Sequence, residues 1–536
     1  MLSGVKENPP DSGHSIDKGY LCRPKIKTVS KVRVRFAPSP TGALHMGGVR
    51  TALFNYLFAK ANNGEFLLRI EDTDQNRFVP GAEDYIREAL AWVGMETDED
   101  PWKGGASGPY RQSERKEMYR QYADQLIEAG HAYYAFDTPE ELTEMRERLK
   151  RAKVPNPQYN AAVRMTMKNS MTLSSDEVAA RLDAGEPYTI RVKIPRNEDV
   201  RFQDIIRGWV QVSSMQLDDK VIFKSDGMPT YHLANIVDDH LMNITHVIRG
   251  EEWLPSAPLH ILLYRFLGWE ESRPAFAHLP LILRPDGNGK LSKRDGDRLG
   301  FPVFPLEWKD PSSGEISSGY RENGYYPEAF INMLAFLGWN PGTEKELYSM
   351  DELIQDFTLE RVGKSGAKFD ADKTRWYNQQ YLRMRSNDLL VEQVAPLLSA
   401  EGLAFEASQL PFFVEMMKER ATFVPDMFEG RYLFERPSSY DEKTVSKKWK
   451  EGSADVMQAL IDAFDKVDPF TSEALHEAFN AFLAERELGM GAVLPVLRVL
   501  VTGKGMGPGM SDIMAFIGKD ETLERLRVGI QALSNG

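Results

Sequence analysis

The sequence predicts an α/β protein in which a parallel-sheet domain carries an inserted mixed domain and is followed by a largely helical C-terminal region. Three observations predict it. Residues 31–71 give strand, helix and strand signals in succession. A second α/β portion resumes after a stretch of mixed helices and short strands at 105–215. From residue 327 onward apolar residues recur at three- and four-residue steps. At 536 residues and 60.8 kDa the chain exceeds what one core supports and should divide into roughly three or four domains.

Residues 31–56, KVRVRFAPSPTGALHMGGVRTALFNY, open that architecture. Val32, Val34 and Phe36 alternate with Arg33 and Arg35 as a short strand, which Pro38 and Pro40 stop and Thr41-Gly42 turn. Gly47 and Gly48 then permit close backbone approach, and Ala52, Leu53, Tyr56 and Leu57 give a helical apolar face. A helix entered this way offers first-turn amide hydrogens without intrahelical partners, an anion site suited to a triphosphate. Composition alone equally fits a tight surface loop; His45, with Ser39 and Thr41 beside it, adds donors that favour the anion. Neither G-x-G-x-x-G nor G-K-[ST] is present, so the usual dinucleotide and Walker loops do not apply.

Residues 65–71, EFLLRIE, read as the second strand, closed by Asp72-Thr73-Asp74. The carboxyl ends of the two strands should therefore bring residues 37–45 and 71–74 side by side. Helices are expected at 81–93 and 112–128, and a charged one at 140–153. Another opens at Ser174, with Asp176 and Glu177 in its first turn and Gly185 ending it. PYTIRVKIP and WVQV read as strands of the insert. The second α/β portion follows with strands at 221–223, 245–248 and 279–283 and helices at 231–242 and 258–267. Residues 301–324 read as a loop insertion or small hairpin without a chemical signal, and residues 1–30 as a poorly ordered extension.

Composition is that of a soluble globular protein. The single cysteine, Cys22, excludes a disulfide framework and a cysteine-based zinc site within the chain. No long apolar run predicts a membrane span, and the first thirty residues are too polar for a secretory signal, so a cytoplasmic protein is expected. A net charge of −13 argues against an indiscriminate nucleic-acid binder, while basic groupings at 146–153 and 443–450 leave local binding open.

Lys290, Lys293 and Arg294, within KLSKR, would neutralise charge on departing pyrophosphate if their loop closes over a triphosphate; an exposed basic hairpin is the alternative. Arg35 and Arg249 could each present a planar fork to a substrate carboxylate, or anchor ion pairs with Glu71, Glu251 or Glu252. Glu71 is assigned to an amine and the neighbouring aspartates to structure. His232, His240 and His246 are read as hydrogen-bonded residues rather than metal ligands, and Trp209, Trp253 and Trp376 as packing.

RFAPSPTGALHMGG resembles the nucleotide signature of class I aminoacyl-tRNA synthetases, specifically the bacterial type of glutamyl-tRNA synthetase. RIEDTD at 69–74, PYRQSER at 109–115, the segment 225–253 and KLSKR resemble that family in the same order, and the similarity runs from about residue 32 to the C-terminus. It implies a Rossmann-like class I catalytic domain at 31–104 and 216–300. The implied partition continues with an inserted α+β acceptor-binding domain at 105–215, a connector at 301–377 and an all-helical anticodon-binding region at 378–536. The implied reaction is ATP-dependent formation of glutamyl-adenylate and transfer of glutamate to the terminal ribose of tRNA(Glu), in a monomer, with Mg2+ accompanying ATP and no zinc. By this resemblance His45, Lys290, Lys293 and Arg294 are catalytic. Thr41, Gly42, His45, Gly47, Gly48, Lys290, Ser292 and Lys293 hold ATP, and Arg35, Ala37, Ser39, Glu71, Tyr231, Asn235 and Arg249 hold the amino acid. The family's HIGH is His45-Met46-Gly47-Gly48 here, so backbone donors or another group must replace its last imidazole if that ATP contact is retained; KMSK is KLSK. A non-discriminating enzyme that also charges tRNA(Gln), and a catalytically inactive tRNA- or nucleotide-binding regulator, are the alternatives. A glutaminyl-tRNA synthetase should instead be strand-rich near its C-terminus, and a truncated relative that modifies a tRNA base should lack the helical region.

Overall fold

The structure, a computed structural model, describes residues 31–534; the expectations for residues 1–30, including Cys22, lie outside the described residues, as do the side chains of Lys293, Arg294 and Asp297. The chain opens with β1 (Arg33–Phe36), α1 (Met46–Ala61) and β2 (Glu65–Leu68), and β1 runs parallel to β2 with Phe36 opposite Leu68. This is the predicted βαβ unit. α2 (Ala82–Trp92) follows, and the helix expected at 112–128 divides into a 3-10 turn, Gln112–Arg115, and α3 (Lys116–Glu128).

Next come β3 (Ala132–Ala135), α4 (Pro139–Arg151), α5 (Ser175–Asp183) and β4 (Thr189–Val192). Local chemistry sets both helix starts: Thr138 and Ser174 accept from the amides of Glu141 and Glu177, whose carboxylates reach back to the cap amides. A hairpin, β5 (Asp199–Asp204) and β6 (Gly208–Ser213), precedes β7 (Val221–Phe223), α6 (Tyr231–Leu241), β8 (His246–Gly250), α7 (Ala257–Phe266) and β9 (Ala275–Leu279). The strand expected at 279–283 is two, β9 and β10 (Ile282–Leu283), because Pro280 has no amide hydrogen to continue a ladder.

Strands β3, β4 and β7 form an antiparallel sheet, whereas β5, paired with β6, joins a second sheet in which it lies parallel to β9. β8 and β9 are parallel, with Arg249 opposite His278. The start of β8 is tied to β1 by the Thr245 amide donating to Arg33 O at 2.9 Å. The carboxyl ends of β1, β2, β8 and β9 thereby converge on one edge, where open α/β sheets bind ligands.

α8 (Lys293–Leu299) leads into residues 301–324, which are a hairpin of β11 (Trp308–Lys309) and β12 (Ile316–Ser317) with buried flanks. Val303 O accepts from the Met46 amide at 2.8 Å, Tyr85 donates to Leu306 O, and Trp308 packs edge-on against Tyr85 at 5.2 Å. The polar sequence hid this role: the segment clamps the start of α1. From Pro327–Phe336 to Lys519–Ser534 the chain is mainly helical, and from Leu382 onward a separate apolar core holds it together. Among the described residues no helix is long and apolar enough to cross a membrane.

Candidate active site

The sheet edge opens into a cleft of about 450 Å³ lined by Arg35, Ala37, Ser39, Thr41, Gly42, His45, Gly47, Gly48, Glu71, Tyr231, Asn235 and Arg249. An adjoining cavity of about 410 Å³ shares His45, Gly47 and Gly48 and adds Lys290 and Ser292. Sequence-distant motifs thus meet at two joined subsites. Trp253, read from sequence as packing, also lines the first cleft, is 42% exposed and lies tilted against Tyr231 at 4.6 Å between ring centroids. Trp209, in β6, is largely exposed as well rather than packed.

The two candidate carboxylate-binding arginines differ in their electrostatic partners. Arg35 is gripped by Asp239, Nε to Oδ1 at 2.9 Å and Nη2 to Oδ2 at 3.2 Å, rather than by the glutamates considered from sequence. Asp239 also accepts from Arg69 Nη1 at 2.8 Å. Burial would raise the Asp239 pKa, but Arg35 and Arg69 outweigh it and hold the carboxyl below its ordinary range. Arg249 instead donates to neutral groups: His278 Nε2 at 3.0 Å, Tyr231 Oη at 2.8 Å and Trp253 O at 3.4 Å. Its charge in a buried site calls for an anion.

Glu71 accepts from Asn235 Nδ2 at 2.8 Å and Arg69 Nη2 at 3.0 Å, both at Oε1. Behind it, Asp238 takes Arg115 Nε at 2.7 Å, Gln112 Nε2 at 2.8 Å and Tyr119 Oη at 2.9 Å. The PYRQSER motif therefore braces α6 from below the cleft. Asp72 accepts from the Ser113 amide at 2.8 Å and Asp74 pairs with Arg77, structural roles for both. His232, His240 and His246 are hydrogen-bonded to His260, Ser272 and Thr245 respectively. Burial pulls the His232 pKa down to about 4.

At the α1 end the structure corrects the expected backbone anion nest. The Met46 amide is taken by Val303 O, Gly47 N donates to His45 Nδ1 at 3.1 Å, and Gly48 N donates to His45 O at 2.7 Å. Those first-turn donors are already engaged, so a backbone amide at Gly48 does not replace the absent imidazole. His45 Nδ1 must carry a lone pair to accept, which places the ring proton on Nε2. Lys290 Nζ pairs with Glu252 Oε1 at 2.8 Å, and Asp295 caps Ser292 at the start of α8.

Gly48 has a packing cause: a Cβ there would stand 2.5 Å from Leu44 Cδ1, whereas one on Gly47 would meet its nearest atom at 3.5 Å. Gly48→Ala should therefore lower the unfolding free energy in denaturant titrations, and because Leu44 is itself a buried core residue, the clash should show as coupling: Leu44→Ala should cost less in that background than in the wild type. Gly47→Ala, spatially tolerated, is the control.

A model of the catalytic domain of class I tRNA synthetases (E and Q) matches residues 31–376, and one of an anticodon binding domain matches residues 389–530. A glutamate–tRNA ligase of Cytophaga hutchinsonii is 57% identical, covering 95% of this chain and 98% of its own. The chain belongs to the glutamate–tRNA ligase family. The family member of Amoebophilus asiaticus is 54% identical over 94% of this chain and 98% of its own. The crystal structure of a glutamate–tRNA ligase from Elizabethkingia meningosepticum in complex with its amino acid superposes with a TM-score of 0.89 at 50% identity, covering 94% of this chain and 100% of that one. The family's class I catalytic domain followed by a helical anticodon-binding region is the predicted fold class. The matches also exclude the strand-rich and truncated alternatives. Glu252, read from sequence as a possible ion-pair partner, and Trp253, read as packing, both line the cleft, whereas Asp204 and His278, which lie behind Arg249, were passed over and carried no sequence signal.

Proposed function

We propose that this member of the glutamate–tRNA ligase family activates L-glutamate with ATP, delivered as its Mg2+ complex, and transfers the glutamyl group to the 3′-terminal adenosine of tRNA(Glu). The observation that carries the substrate assignment is the presence in one cleft of Arg249, hydrogen-bonded among the described residues to neutral groups, and of the Glu71 carboxylate. Arg249, with Arg35 held beside it by Asp239, takes the substrate's side-chain carboxylate; Glu71, braced by Asn235, takes its ammonium group. The α-carboxylate then attacks the α-phosphorus, forming the mixed anhydride as the bond to pyrophosphate breaks. No protein nucleophile is needed.

His45 donates from Nε2 to the phosphates, and Lys290 leaves Glu252 to join Lys293 and Arg294 over the departing pyrophosphate, a contact strengthened in the transition state. Thr41, Gly42, Gly47, Gly48 and Ser292 shape that subsite. In the second step the terminal ribose hydroxyl attacks the anhydride carbonyl and AMP leaves. The region 105–215 approaches the acceptor end, and the helices from 378 onward take the anticodon. The protein acts as a cytoplasmic monomer without zinc.

Aminoacylation with separate tRNA(Glu) and tRNA(Gln) transcripts tests this reading. Glutamate should be charged onto tRNA(Glu) and glutamine onto neither. Charging of both transcripts with glutamate identifies the non-discriminating form; charging with glutamine alone, or no pyrophosphate release, rejects the assignment.

A further inference from the structure

Behind Arg249 lie two buried groups that the proposed chemistry leaves unused, Asp204 at the end of β5 and His278 in β9. Asp204 Oδ1 accepts from the amides of Ile206 at 3.0 Å and Arg207 at 2.8 Å, which anchors the carboxylate. Its Oδ2 lies 2.6 Å from His278 Nδ1, and His278 Nε2 lies 3.0 Å from Arg249 Nε. Donor chemistry leaves one tautomer. A guanidinium Nε can only donate, so His278 Nε2 carries the lone pair; an ionised carboxylate can only accept, so Nδ1 carries the proton. Burial and the neighbouring Arg249 lower the His278 pKa in spite of Asp204, in keeping with a neutral ring.

We infer that Asp204 and His278 are positioning residues for the substrate carboxylate: they orient the Arg249 guanidinium through a neutral imidazole and keep a direct carboxylate partner off its fork. It rests on Arg249 holding the glutamate side chain. The contrast with Arg35 shows what the imidazole achieves. Asp239 contacts Arg35 through two nitrogens and neutralises it, whereas Asp204 is one ring removed and occupies none of Arg249's donors. The Arg249 Nε edge is satisfied by His278 and Nη1 is steered by Tyr231, so the guanidinium plane is held without consuming its charge.

The test is steady-state aminoacylation by the full-length protein with tRNA(Glu), varying glutamate and ATP separately. In Asp204→Asn the backbone amides hold the carbonyl oxygen, the new amide nitrogen faces His278 Nδ1, and the ring proton is driven to Nε2 against the Arg249 Nε hydrogen. The KM for glutamate should rise about tenfold or more, with the KM for ATP within about twofold. His278→Leu should do the same, and His278→Gln, which retains an acceptor, should lie closer to wild type. KM is independent of the active fraction, so partial unfolding does not imitate the split. Unchanged KM for glutamate, equal changes in both constants, or His278→Gln no better than His278→Leu would each overturn the inference. Arg249→Lys separates the two layers: no rise in KM for glutamate there rejects the carboxylate assignment itself, while a rise there without one in Asp204→Asn rejects only the positioning role.

Discussion

Replacing Arg249 by alanine should lower kcat/KM for glutamate about a thousandfold and leave the KM for ATP within about twofold. The guanidinium is buried, and its removal would leave a desolvated substrate carboxylate without its charged partner. Losing one member of a buried hydrogen-bonded charge pair costs about 2–5 kcal/mol, or roughly 30- to 4,000-fold. The upper part of that range applies because the partners of Arg249 are neutral, whereas the neighbouring Arg35 is already paired with Asp239. Arg35→Ala should divide differently. Asp239 would keep Arg69 but lose its bidentate partner, so a larger share of the loss should fall on folding stability. Titrating glutamate and glutamine in parallel aminoacylation assays checks both variants. An unchanged KM for glutamate in Arg249→Ala would move the carboxylate site elsewhere.

What was legible in the sequence was local. The strand, proline stop and helix of residues 31–56 follow from alternation and turn chemistry within a single window, as does the capped start at Ser174. Four-residue strands such as Ala132–Ala135 left too little pattern, and Asp199–Asp204 holds two apolar residues, Val200 and Phe202, among polar ones, so that its sheet partner could not be read. β5 pairs with β9 across more than seventy residues, a contact set by tertiary packing.

The site divides in the same way. Arg35, Glu71, Asn235 and Arg249 could be placed together by motif, but not the difference between the two arginines, which depends on Asp239 and His278 reaching them from other elements. The first turn of α1 misled for a related reason. Its amides look unpartnered in a local window, yet Val303, far along the chain, supplies an acceptor and His45 turns back on its own helix.

That backward turn gives His45 two separable roles, and substitution can divide them. In His45→Asn the side-chain oxygen can still accept from the Gly47 amide, and asparagine is among the best N-caps, so the unfolding midpoint should stay within about 2 °C of wild type. The ring Nε2 donor is gone, and glutamyl-adenylate formation should slow by about 10²- to 10³-fold with little change in KM for glutamate. His45→Gln offers an amide hydrogen farther out but a poorer cap. It should retain more of the rate while losing about 1 kcal/mol of stability. Pyrophosphate release with saturating glutamate and tRNA, read beside thermal unfolding, measures both effects. If His45→Asn activates glutamate at the wild-type rate, the ring serves only as the cap of α1. The phosphates must then be held from the other side of the cleft, by Lys290 once it has left Glu252 and by the loop that continues from it.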